Sequence, residues 1–88
     1  MTVVIKKDGS KENFRSEKIR KGIENAARRA DVDKKRAKEI ASKVAREVAD
    51  SFRDRDEVRS RDIRDRVVRD LDREEKKLAR EFKSFSKD

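Results

Sequence analysis

The sequence contains no cysteine, histidine, proline, tryptophan or tyrosine, and only two glycines. Each absence removes a class of chemistry. Without cysteine there is no disulfide and no thiolate metal site. Without histidine the chain lacks the commonest metal ligand and the commonest general base. Gly9 and Gly22 fall in no Walker pattern, so no phosphate-cradling P-loop is present. No nucleophile–base pair can be assembled. Carboxylate pairs such as Asp54 and Asp56 lie in a densely charged segment and read as solvated surface. The chain is therefore expected to be non-catalytic and to hold no metal of its own. No apolar stretch is long enough to span a bilayer, and no secretory apolar segment follows Met1. The expected location is the cytoplasm, with no membrane partner.

What the chain has is charge. Of its 88 residues 55% are charged and 32% hydrophobic, and 28 Lys and Arg oppose 20 Asp and Glu for a net charge of +8. A chain this polar is a candidate for disorder, but its apolar residues recur periodically, which argues for one folded domain over residues 1–88. An excess of positive charge favours polyanions. The competing explanation is a solvated surface laced with helical ion pairs. The pairs Glu17–Lys21, Glu24–Arg28, Glu39–Lys43, Asp62–Arg66 and Asp65–Arg69 have the i,i+4 spacing that supports this explanation.

The periodicity gives an α+β fold, an N-terminal β-hairpin capping a cluster of three to four α-helices. Val3, Val4 and Ile5 are consecutive β-branched residues and predict a strand. Asp8-Gly9 is a two-residue hairpin signal of type I′, with Lys11 to Phe14 returning, so the hairpin spans about residues 2–14. Ser16 is the expected N-cap of a helix over about 16–30. Within it Ile19, Ile23, Ala26 and Ala27 form the apolar face, and Gly22 marks close packing. Ala37, Ile40, Ala41, Val44 and Val48 form one stripe of a surface helix over about 33–53. The "RDRDE" segment reads as a polar connection. Ser60 is the expected N-cap of a helix over about 60–72. A further helical pattern over about 74–86 follows with no Gly or Pro between, which leaves open whether the two are one continuous helix.

The hairpin is the one place where charge and geometry converge. Lys6 and Lys7 are adjacent, so on a strand their side chains point to opposite faces. Lys18 and Lys21 follow one turn apart on the first helix. A hairpin folded over that helix brings Lys6 or Lys7 near Lys18, a cluster of phosphate size in which lysines act as point charges. The bland alternative is a solvated lysine-rich hairpin.

The order of motifs resembles the ATP-cone family of regulatory nucleotide-binding domains. The residues that carry the resemblance are "VIKKDG", "KENF" and "SEKI" near the start, "VRSRDI" at the third helix and "REFKSF" near the end, about residues 3 to 86 in all. The family is found on ribonucleotide reductases and on zinc-ribbon repressors of their genes. The resemblance implies a stand-alone sensor of ATP or dATP, with Mg2+ as a companion of the triphosphate, acting by allosteric change in homo-oligomeric assembly or on a separate protein partner. It implies that Val4 lies against the base and that Glu12 approaches the adenine edge. Lys6, Lys7 and Lys18 serve the phosphates, Ser60 and Arg64 approach the nucleotide from the third helix, and Phe85 lies against base or sugar. The chain departs from the pattern at Lys7, where Arg is usual, and at Arg15, where Asp or Asn is usual. The rival reading is a basic nucleic-acid-binding protein, transcription-related, that uses Arg59, Arg61, Arg64, Arg66 and Arg69 as a phosphate-contacting stripe. Interleaved acids and the lack of Trp and Tyr stand against it.

Overall fold

The computed structural model describes residues 2–85; Met1 and residues 86–88, the ends of the expected domain and of the expected fourth helix, lie outside the described residues. Three short strands and four helices follow the order β1 (Val3–Ile5), β2 (Lys11–Asn13), α1 (Ser16–Arg29), α2 (Lys34–Ser51), β3 (Glu57–Arg59), α3 (Ser60–Glu74) and α4 (Lys76–Phe85). No helix is long and apolar enough to cross a membrane.

The hairpin forms where the β-branched run predicts it, with Val4 opposite Glu12, but its turn differs. Lys6 N–H donates to the Ser10 carbonyl at 2.8 Å and Gly9 N–H donates to the Lys6 carbonyl at 2.9 Å. Among the described residues only Gly9 (φ 89) and Asp31 (φ 59) have positive φ, so Asp8 does not adopt the type I′ conformation. The connection is a three-residue loop, a tight turn closed by a left-handed glycine. Asp8 fixes it by accepting from Ser10 N–H at 2.9 Å and from Ser10 Oγ–H at 2.7 Å. These two bonds hold the Asp8 carboxyl below its ordinary pKa.

The sheet has a third strand that the sequence reading passed over. β3 pairs with β1 in parallel, Val4 opposite Val58, giving the order β2-β1-β3. Its only apolar residue is Val58, which is buried between exposed Glu57 and Arg59, so its pattern is too short to register as a strand. The preceding link is anchored by the Thr2 hydroxyl, placed 3.1 Å from the Phe52 carbonyl and 2.8 Å from that of Arg55.

The helices bury one stripe each. Ile23, Ala26 and Ala27 of α1 meet Ala37, Ile40, Ala41, Val44 and Val48 of α2, Val67 and Leu71 of α3, and Leu78 and Ala79 of α4. Phe14 packs against this core as the chain enters α1. Neither predicted serine caps its helix: the N-cap positions are Arg15 and Arg59, and no side chain caps α1 or α3. Asp33 does cap α2, accepting from Arg36 N–H. The last two helices are separate. Glu75 is extended (φ −162, ψ 107), and its carbonyl accepts from Leu78 and Ala79 N–H to start α4. The chain thereby turns so that α4 packs on both α1 and α3.

Of the five expected i,i+4 pairs, Glu17–Lys21 forms at 3.3 Å. Other partners compete for the rest: Glu24 meets Arg20 at 2.9 Å, Lys43 crosses to Glu74 at 2.9 Å, and Arg66 meets Asp70 at 3.1 Å. Asp70 is buried and also accepts from Arg73 at 2.8 Å. A carboxylate this buried is tolerated because both arginines satisfy it.

Gly22 faces α4, and a methyl added there would stand 3.4 Å from Phe82 Cε2, an ordinary contact. Gly22→Ala is therefore expected to stabilise the domain by roughly 0.8–1 kcal/mol through helix propensity. Gly22→Leu is expected to destabilise it by driving into the Phe82 ring. Leu71→Ala, at a fully buried position, is expected to cost about 2–5 kcal/mol. Chemical denaturation of the three variants checks all three signs.

Candidate functional site

The hairpin, the start of α1 and the start of α3 meet at one end of the bundle and frame two adjoining depressions. The first is an open, basic cleft of about 650 Å³ lined by Ile5, Lys6, Lys7, Gly9, Arg59, Ser60, Arg61 and Arg64. The second is an apolar slot of about 200 Å³ whose walls include Val4, Phe14, Ile19, Ile63, Val67 and Phe82, with Glu12, Arg15 and Lys18 at its edge. Ser60 and Arg64 line both, so the first turn of α3 forms the boundary.

The backbone explains why the lysines gather. β1 ends at Ile5, so Lys6 and Lys7 belong to the turn rather than to the strand. Both therefore line the basic cleft, against the opposite-face expectation for adjacent strand residues. The parallel pairing of β1 with β3 sets Ile5 opposite Arg59, and α3 begins at the next residue. The first N–H groups of α3 have no intrahelical acceptor, and no side chain caps them. They carry the positive end of the helix dipole to the edge of a cleft already rich in Lys and Arg. Phosphate groups suit such a helix start.

Glu12 ties the two compartments together. Its carboxylate lies 3.5 Å from Lys6 Nζ through Oε2 and 3.0 Å from Lys18 Nζ through Oε1. The hydrogen bond from Lys18 is the main cause that holds the Glu12 carboxyl below its ordinary value of 4.5, against an opposing effect of desolvation. The lysine that meets Lys18 is thus Lys6, with Glu12 as the anion between them. Lys18 itself lies on the slot side rather than in the basic cleft.

Seven of the eight residues singled out in the sequence, Val4, Lys6, Lys7, Glu12, Lys18, Ser60 and Arg64, line one or both depressions. Phe85 does not. It is 54% exposed and borders a separate depression with Gly22, Asn25, Arg29 and Phe82, with the Arg29 guanidinium 3.8 Å from its ring centroid. The aromatic ring of α4 that reaches the slot is Phe82. Sequence reasoning also missed Phe14, Ile19, Ile63 and Val67 as slot walls; Ile19, for one, carried the helical spacing of a core face, and Phe14 read as the end of the returning strand. Arg59 and Arg61, read as part of a polyanion stripe, here belong to the basic cleft. Within that stripe Arg66 meets buried Asp70 at 3.1 Å and Arg64 lies 3.7 Å from Asp65.

The family profile described as ATP cone domain matches residues 2–86. The chain belongs to the ATP-cone family. ATP cones are regulatory, non-catalytic domains that bind ATP or dATP. The chain matches no curated protein.

The Glu12 bridge has a pH signature. Because the folded-state pKa is depressed, the bridge's contribution is present above the ordinary carboxylate pKa and is lost as pH falls through the lower folded value. A carboxyl-carbon NMR titration is expected to place Glu12 below 4.5. Lys18→Ala is expected to raise it toward that value. A midpoint that Lys18→Ala leaves unmoved would contradict the bridge.

Proposed function

We propose that this ATP cone is a nucleotide-sensing regulatory module that binds ATP or dATP across both depressions. The observation that carries the reading is the first turn of α3, uncapped and shared by a basic cleft and an apolar slot. Triphosphate lies in the cleft, held by Lys6 and Lys7, by Arg64, and by the N–H groups at the start of α3, with Arg59 and Arg61 adding field. The base enters the slot against Val4, with Glu12 and Ser60 as polar neighbours and Phe82 as the aromatic wall. Glu12 keeps Lys6 and Lys18 aimed at the boundary until phosphate replaces it as their anion. Phe85, one depression further along α4, acts through Phe82 rather than on the base.

Among the described residues no three His, Cys, Asp or Glu converge as a metal site. Any Mg2+ in this scheme comes bound to the triphosphate. The signal passes on through oligomerisation or a protein partner, and coupling requires that nucleotide bind two assembly states with different affinity. Duplex nucleic acid is the competing polyanion. It lacks a free base to fill the slot, so it is expected to bind weakly and with steep salt dependence.

Calorimetric titration tests the reading. ATP is expected to bind more tightly than AMP, because the cleft is built for phosphate charge. Lys6→Ala and Lys18→Ala are each expected to weaken ATP binding by about 1.5–3 kcal/mol, the usual worth of a charge-assisted contact, with unchanged circular dichroism. Equal affinity for ATP and AMP, or wild-type affinity in both variants, would contradict the assignment.

A further inference from the structure

The opposite end of the bundle holds a concentration of charge that the nucleotide cleft does not use. The α1–α2 and α3–α4 turns meet there: Lys77 Nζ donates to the Asp31 carbonyl at 3.4 Å, and Arg36 donates to the Glu74 carbonyl at 2.9 Å and lies 3.8 Å from the Glu75 carboxylate. Residues 28–38 set six cations against two carboxylates, half of the chain's net charge of +8.

Part of this charge is explained locally. Arg28 and Arg29 close α1, where the negative end of the helix dipole favours cations. Arg29 also meets Glu81 at 3.3 Å. Lys34 and Lys38 have no such explanation. They occupy the beginning of α2, whose first turn has no acidic residue and where the dipole disfavours cations. They stand four residues apart on one face, where like charges repel. Neither makes an ion pair with any described residue. Between them and Arg28 runs a groove of about 320 Å³, completed by Glu24, Ala27, Val32 and Ala37. Its floor is apolar: Ala27 and Ala37 are buried and Val32 is half-buried. The small alanines leave the groove open.

We infer that this groove docks an acidic segment of a partner protein, with one aliphatic side chain seated over Ala27, Val32 and Ala37 and flanking carboxylates on Arg28, Lys34 and Lys38. The rim fixes the sign of the partner's charge. The apolar floor selects a peptide over a polynucleotide, whose sugar-phosphate backbone offers no aliphatic anchor; Glu24, at the groove's edge, is already matched by Arg20 at 2.9 Å. The inference goes beyond the nucleotide reading and does not depend on it, since the groove and the cleft lie at opposite ends of α1.

The test uses the full chain and a short fluorescent glutamate-rich peptide carrying one central leucine. Fluorescence anisotropy is expected to report salt-sensitive binding, with NMR shift changes at the Ala27, Val32 and Ala37 methyls. Replacing the peptide's leucine by serine is expected to weaken binding about tenfold, the loss of one buried aliphatic side chain. Lys34→Glu with Lys38→Glu, both at exposed positions, is expected to weaken it about tenfold or more, with unchanged circular dichroism. Calorimetry with ATP on the same double variant reads the nucleotide cleft separately, so failure of one reading is distinguishable from failure of the other. The proposal is overturned if the peptide does not bind or the groove methyls do not shift. It is also overturned if binding ignores the leucine, or if a DNA duplex displaces the peptide from the groove.

Discussion

The parallel pairing of β1 with β3 is the constraint on which the site depends. It involves three residues on each strand, yet it fixes where α3 begins. β3 runs straight into α3, so pairing Ile5 with Arg59 sets the first turn of that helix beside the lysine-bearing hairpin. Unpaired, β3 would leave the hairpin lysines and the helix start on independent segments. Parallel neighbours need a long crossover, and α1 and α2 supply it, which also places the core beneath the sheet. The Thr2 hydroxyl and the bond from Val3 N–H to the Asp56 carbonyl at 2.8 Å tie the incoming segment to the same strand.

Charge on this small domain is partitioned rather than spread. Many cations are matched by a carboxylate on the same or a neighbouring helix, and exposed pairs of that kind contribute little each. Two concentrations remain, at opposite ends of α1. One surrounds the uncapped start of α3 and is completed by an apolar slot. The other surrounds the start of α2 and is completed by an alanine-floored groove. In both, positive charge stands at a helix N-terminus, an unfavourable placement for the isolated fold and a favourable one for an anionic ligand.

Most of the fold was legible in the sequence because its helices carry clean single stripes and its hairpin carries a β-branched run before Asp-Gly. β3 was not, because one apolar residue between two charged ones has no readable period, and its pairing is specified by backbone bonds to a distant segment. The starts of α1 and α3 were misplaced by one residue: serine suggested a cap, while the chain leaves those N–H groups without a side-chain cap, and at α3 they border the basic cleft. The break at Glu75 was undecided because no glycine or proline marks it. Around the candidate site, the hairpin lysines Lys6 and Lys7 were legible from the Asp-Gly motif, whereas Arg59 and Arg61 reach the cleft only through the pairing of β3. The apolar slot was hidden, because a side chain that walls a ligand slot and one that fills a core share the same helical spacing. Phe82 and Phe85 differ by less than one turn, and only the packing of α4 against Gly22 decides which ring reaches the slot.

The central claim is that one adenine nucleotide occupies the basic cleft and the apolar slot together. Backbone and methyl NMR of the full chain during titration with ATP tests it most directly. The account predicts simultaneous shifts at the amides of Lys7, Gly9, Ser60 and Arg61 and at the methyls of Val4, Ile19 and Ile63, saturating with a single affinity. Shifts confined to the charged surface, with the slot methyls unmoved, would contradict it.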